Sequence, residues 1–190
     1  MKSGKLDRRV QYTKMVLKLS LVRLMADKPI GRVTIKEICE RADVNRGTFY
    51  THYADQYELL DEIEGDLDDE IKTALAKNLP NSGNATEVIT EILEAVAARA
   101  TLCQVLFSEH GDAAFVSKIM NNARPQFVDE WTSKVPPGEV AQLDRLYIFA
   151  ANGIAAVIQD WLRGGMTETP AVIAAFVQKT INHGLSGFVG

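Results

Sequence analysis

Cysteine is nearly absent from this chain of 190 residues: there are two, Cys39 and Cys103, and neither stands in a CxxC or at metal-ligand spacing from a histidine. A disulfide framework is thereby excluded, a metal site is not expected, and both thiols read as small core residues. Long apolar runs are missing as well. No stretch approaches the ~18 residues of a membrane span, and the start, MKSGKLDRRVQY, is charged where a signal peptide carries an apolar core. The expectation is a cytoplasmic protein with no membrane partner. Nothing resembles a phosphate loop or a nucleophile set beside a base, so no catalytic residue and no cofactor are assigned. The helical-enzyme reading fails at that point.

Acidic residues exceed basic ones overall, giving a net charge of −4, which argues against indiscriminate nucleic-acid binding. The charge is unevenly spread. Residues 1–53 hold 12 Lys/Arg against 5 Asp/Glu, whereas residues 54–190 hold 9 against 20. A positive end on an acidic body directs one tip of the molecule at DNA.

The positive end contains VTIKEICERADVNRGTFYTHYADQYELL, residues 33–60. Thr34 and Glu37 form a capping box that opens a helix, and Ile35, Ile38, Cys39 and Ala42 share its apolar face. Asp43-Val44 suits the turn of a helix pair, and Asn45 caps a second helix expected over Arg46 to Tyr53. That second helix is poor as a core element, since Gly47 costs about 1 kcal/mol relative to Ala and Thr48, Thr51 and His52 favour helix weakly. Its composition suits a helix laid in the major groove. Gly47 lets backbone approach DNA, Thr48 suits a thymine methyl or base edge, and Asn45 and Arg46 suit purine edges or phosphates. Tyr50, Thr51, His52 and Tyr53 carry donors for phosphate oxygens, and Lys36 joins the set from the solvent side of the first helix. Phe49 reads as core. Asp55 caps a third, long helix from Gln56.

These residues resemble the helix-turn-helix of the TetR family of bacterial transcriptional repressors. Thr34, Ile38, Ala42, Val44, Gly47, Thr48, Phe49, Tyr50, His52, Tyr53 and Leu59 fall in register with its signature. The resemblance implies DNA contacts at Thr34, Arg46, Thr48, Tyr50, His52 and Tyr53. Three positions depart from the pattern: Asp43 stands for the usual turn glycine, Asn45 for serine, and Gln56 for a phosphate-binding lysine.

Beyond these helices the expected fold is all-α: a three-helix DNA-binding domain over 1–55 and a helical effector-binding and dimerisation domain over 56–190. The first helix is expected from about Asp7 to Met25, with Lys14, Lys18 and Arg23 solvated, and Lys2, Lys5, Arg8 and Arg9 as a basic arm. Asp66, Asp68, Asp69 and Glu70 read as a solvated stretch, NLPNSGN (78–84) as a loop, and Asn84/Glu87 as a capping box. Pro125 interrupts a helix from Ala113 to Trp131. Pro136-Pro137-Gly138 and Gly164-Gly165 bracket a further helix, and Thr169-Pro170 opens the last.

The last two helices are apolar over more than one face, which points to an intersubunit bundle. Its expected residues are Ala151, Ile154, Ala155 and Ile158 on one helix and Ile173, Phe176, Val177 and Ile181 on the other. Phe107, Phe115, Phe127, Trp131, Tyr147 and Trp161 are candidates for lining an effector pocket. The segment from Gly153 through WLRGGM (161–166) resembles the effector domain of the TetR subgroup typified by regulators of dihydroxyacetone kinase genes. The resemblance implies a homodimer on a palindromic double-stranded operator, acting as a repressor released by a small molecule. The alternative is a DNA-binding regulator that answers to a protein partner.

Overall fold

The computed structural model describes residues 3–78, 85–132, 135, 136, 138 and 140–186. Among these residues all regular structure is helical: α1 (Ser3–Met25), a 3₁₀ turn (Ile30–Arg32), α2 (Ile35–Ala42), α3 (Arg46–Tyr50), α4 (Gln56–Asn78), α5 (Ala85–Ala98), α6 (Ala100–Leu106), α7 (Ala113–Thr132), α8 (Val140–Arg163) and α9 (Pro170–Ser186). The expected all-α class is therefore found. No helix among the described residues is long and apolar enough to cross a membrane. Asn78, expected to open a loop, ends α4, while the rest of that loop (79–84) with the Asn84 cap lies outside the described residues, as do Pro137 and the side chains of Lys2 and Lys5.

Contacts sort the chain into two units. One comprises Met1–Leu67 with Val105–Asp112, the other Asp68–Gln104 with Ala113–Gly190. The division expected at residue 55 falls elsewhere, because the first half of α4 packs with α1 to α3. Leu59, Leu60, Ile63 and Leu67 bury that half, meeting a core built on Leu17, Leu21, Met25, Ile38 and Phe49. Lys14 and Lys18 are not solvated as expected. Lys14 pairs with Glu62 at 2.8 Å, and Lys18 with Glu62 at 2.7 Å and Asp66 at 2.6 Å. Burial raises the Glu62 carboxyl, but hydrogen bonds from the two lysines outweigh it and hold the group down at about 2.

In the second unit α5 packs along α9, and α8 along α7 and α9. Asp68 is buried rather than solvated. It accepts from Asn122 of α7 at 3.0 Å and pairs with Lys72 at 2.8 Å and Lys118 at 3.5 Å, tying the second half of α4 to α7. A charge that would be costly alone is thus offset by three partners. α7 runs through Pro125 without ending. The last two helices are joined by a tight turn. Gly165 takes φ 76° and Met166 φ 54°, and the Trp161 indole N–H donates to the Glu168 carbonyl at 2.9 Å.

Candidate nucleic-acid interface

α2 and α3 owe their start points to side-chain caps. Thr34 Oγ1 accepts the Glu37 N–H at 3.3 Å while Glu37 Oε2 accepts the Thr34 N–H at 2.9 Å, the reciprocal arrangement expected from Thr-x-x-Glu. Lys28 Nζ donates to the same carboxylate at 2.6 Å. Together these bonds, that from Lys28 foremost, hold the Glu37 carboxyl at about 2. α2 ends at Asp43, whose backbone is left-handed (φ 53°, ψ 45°), the conformation glycine adopts at least cost. Asn45 Oδ1 then accepts the N–H of Thr48 at 2.8 Å and its hydroxyl at 3.1 Å. A Cβ at Gly47 would stand 3.2 Å from that oxygen, so the glycine also keeps the cap uncrowded.

α3 is shorter than expected, five residues rather than eight; in the turn that closes it the Tyr53 N–H donates to the Phe49 carbonyl at 3.0 Å, so Phe49 and Tyr53, four residues apart, share the inner side. This separates the aromatics. Phe49 is fully buried, Tyr50 is 57% exposed and Tyr53 only 2%. The Tyr50 ring meets Phe49 edge-on at 5.7 Å, while Tyr53 lies 5.8 Å from Phe49 with Lys14 Nζ 5.4 Å from its ring centroid. Burial, with the Glu62 carboxylate nearby, pushes the Tyr53 phenol above its ordinary value. Tyr53 is therefore corrected from DNA contact to core residue: the aromatic that follows the turn is the one folded under it.

The other candidates stand at the surface. Thr34, Lys36, Asn45, Arg46, Gly47, Tyr50 and Thr51 are exposed, and Thr48 and His52 half-buried. Some of their polar atoms are already engaged. Thr34 and Asn45 cap, Thr51 Oγ1 donates to the Gly47 carbonyl at 2.9 Å, and Lys36 lies 3.6 Å from Glu40. Arg46 and Tyr50 extend from the end and face of α3. Arg8 and Arg9 of the expected arm are exposed.

The second unit redistributes the other expected residues. A cavity of about 80 Å³ lies among α4, α5, α7, α8 and α9. Tyr147 lines it, as expected, and its hydroxyl donates to the Met120 carbonyl. Ala151, Ile154, Ile158, Val177 and Ile181, expected at a subunit interface, line it too. Of the remaining pocket candidates, Trp161 is buried at the α8–α9 turn and Phe107 lies in the segment that belongs with the first unit. Phe115 is buried in α7 away from the cavity wall, and the side chains of Phe127 and Trp131 lie outside those described. Ile173 is also internal, whereas Phe176 is 55% exposed and Ala155 half-buried. The exposed large apolar side chains of these two helices are other ones: Ile148 (61%) and Phe149 (76%) on α8, and Val172 (49%) and Phe176 (55%) on α9. Ile148 and Phe149 were missed because apolar positions cover most of the circumference of α8, and periodicity alone does not say which stripe turns inward.

Comparison with known proteins agrees with this geometry. Residues 21–63 match the family model for bacterial regulatory proteins of the tetR family, and residues 83–183 match that for the transcriptional regulator C-terminal region. Over 105 residues, 55% of this chain, it is 30% identical to the uncharacterized HTH-type transcriptional regulator YxbF of Bacillus subtilis (strain 168). The matched stretch spans 26% of that relative's length. Among solved structures, a TetR transcriptional regulator from Streptococcus agalactiae 2603V is similar with a TM-score of 0.67 at 18% identity, covering 94% of this chain and 98% of that one. The dihydroxyacetone kinase operon activator DhaS is similar with a TM-score of 0.60 at 16% identity, with the same coverage. At these identities the structural likeness is one of fold.

Proposed function

This chain belongs to the TetR family of DNA-binding transcriptional regulators, and we propose that it works as a homodimeric repressor released by a small-molecule effector. The observation that carries the reading is the division of labour on α3, where Phe49 anchors the helix while Arg46, Thr48 and Tyr50 face outward. Arg46 and Thr48 read base edges, and Tyr50, Thr51, His52 and Lys36 hold phosphates. Thr34 and Asn45 act chiefly through the caps that aim α3.

One such helix binds weakly. The exposure of Ile148, Phe149, Val172 and Phe176 on the last two helices supports pairing by a two-fold axis through these helices, since exposed apolar side chains gathered into a patch mark an interface. Pairing sets two readers in successive major grooves, ~34–36 Å apart, on an inverted-repeat operator. Release follows if an effector binds more tightly to a dimer of the wrong spacing. α4 and α6 are continuous helices with residues in both units, and we take them as the routes by which such a change passes.

A second reading is favoured by one observation. At about 80 Å³ the cavity is far below the ~300–1,000 Å³ of ordinary small-molecule sites, which suits a regulator that answers to a protein partner instead. Selecting bound fragments from genomic DNA separates the readings from failure of both. Recovery of one inverted repeat, with affinity falling by about 0.9 log units per log unit of salt for each neutralised phosphate, supports a paired reader. Equal retention of all fragments at low salt overturns it. Transcription from the recovered site, with and without the regulator, distinguishes repression from activation.

A further inference from the structure

The cavity wall is narrow in its chemistry. Among the described residues thirteen line it, and seven of these are isoleucine, among them Ile71 of α4, Ile89 and Ile92 of α5 and Ile119 of α7; most of the others are aliphatic. Among the described lining side chains the one hydroxyl is that of Tyr147, which already donates to the Met120 carbonyl. Among the described lining residues no side chain offers a free donor, acceptor or charge. A carboxylate or ammonium brought here would lose its water and gain no partner, which opposes its entry. A hydrocarbon loses nothing comparable, and it removes its own apolar surface from water.

We propose that this cavity takes a compact, uncharged hydrocarbon group of about three to five carbon atoms. The size follows from the volume, about 80 Å³, roughly half of the ~150 Å³ that admits benzene. The group is either a whole small molecule or the branched tip of a longer neutral one. This specifies the effector class and rests on reading the second unit as effector-responsive. α8 supplies the regulatory consequence. Tyr147, Ala151, Ile154 and Ile158 line the cavity, while Ile148 and Phe149 of the same helix face solvent. A guest that spreads the wall therefore strains the same helix that carries these exposed side chains, because close-packed interiors transmit strain.

Methyl spectra of the full chain, labelled at isoleucine δ1, test the inference. Isobutane in saturated buffer, neutral 4-methyl-1-pentanol and charged isobutyrate are titrated in parallel. Isobutane is expected to shift Ile71, Ile119, Ile154 and Ile158 and to leave Ile38 and Ile63 of the first unit unmoved, with isobutyrate at least tenfold weaker. Shifts with the pentanol but not isobutane assign a chain tip, and shifts with both admit the free molecule. Ala151→Leu, which fills the space, should abolish the shifts, and Ile158→Val, which enlarges it, should strengthen binding of isobutane severalfold. Isobutyrate binding as well as isobutane, or silence from both neutral probes, overturns the proposal. Repeating the genomic-fragment selection with isobutane isolates the parent reading. Methyl shifts with unchanged DNA retention leave the cavity chemistry standing and remove its role as an effector switch.

Discussion

Replacing Asp43 by glycine should stabilise the DNA-binding unit, although it deletes a side chain. Asp43 holds φ 53° and ψ 45° at the C-cap of α2. The left-handed region costs an L-residue ~1–2 kcal/mol, with aspartate toward the low end. Its negative charge also meets the negative end of the α2 dipole, unfavourable by ~0.3–1 kcal/mol. Against these gains, glycine frees the unfolded chain, which costs about 0.4–1 kcal/mol. The balance is a stabilisation of about 1 kcal/mol for Asp43→Gly. Asp43→Ala removes the charge but keeps the strained backbone, so it should fall at or below the wild-type stability. Asp43→Asn, which tolerates this backbone and loses only the charge, should lie between. Urea unfolding followed by far-UV circular dichroism gives the order, provided the denaturant slopes agree. If Asp43→Gly proves no more stable than Asp43→Ala, backbone strain is not what this turn stores.

Three further outcomes test separate parts of the molecule. Tyr50→Ala should weaken binding to the selected operator by at least ~1 kcal/mol with the dimer intact, whereas Tyr53→Phe should change it by less than about 0.5 kcal/mol because that hydroxyl lies inside; equal losses by fluorescence anisotropy would return Tyr53 to the interface. Glu62 has its folded pKa lowered to about 2 from an ordinary 4.5, so its contribution is present above pH 4.5 and is lost as pH falls through about 2. Glu62→Gln should flatten that part of a stability-versus-pH curve, and an unchanged curve would remove the Lys14–Glu62–Lys18 cluster from the acid response. Phe149→Asp, at a 76% exposed position, should yield a folded monomer in sedimentation and abolish tight operator binding; a persistent dimer would move the interface elsewhere.

The helix pair was legible in the chain because its signals act over three or four residues. Thr34 with Glu37, Asn45 with Thr48, and Asp55 with the N–H groups of Tyr57 and Glu58 are caps that depend on almost nothing distant. Pairings between residues far apart in the chain were less legible. Lys14 and Lys18 looked solvated because their partners, Glu62 and Asp66, stand far along the chain, 48 residues away in the Lys14–Glu62 and Lys18–Asp66 pairs. Asp68 looked solvated for the same reason, its partner Asn122 standing on another helix. The subgroup likeness of the C-terminal half remains a likeness of fold, since bundles of apolar helices share shape more readily than motif.

Local chemistry in the sequence thus determined where helices begin, that the class is all-α, and that positive charge gathers around a helix-turn-helix. Only the tertiary structure decided which of two neighbouring tyrosines, Tyr50 or Tyr53, meets solvent, and that Ile154 and Ile158 enclose a cavity while Phe149 stands outside. The reason is geometric. A 3.6-residue period tells which side chains share a stripe, but a helix with more than one apolar stripe can turn any of them inward, and the choice belongs to the neighbours it packs against.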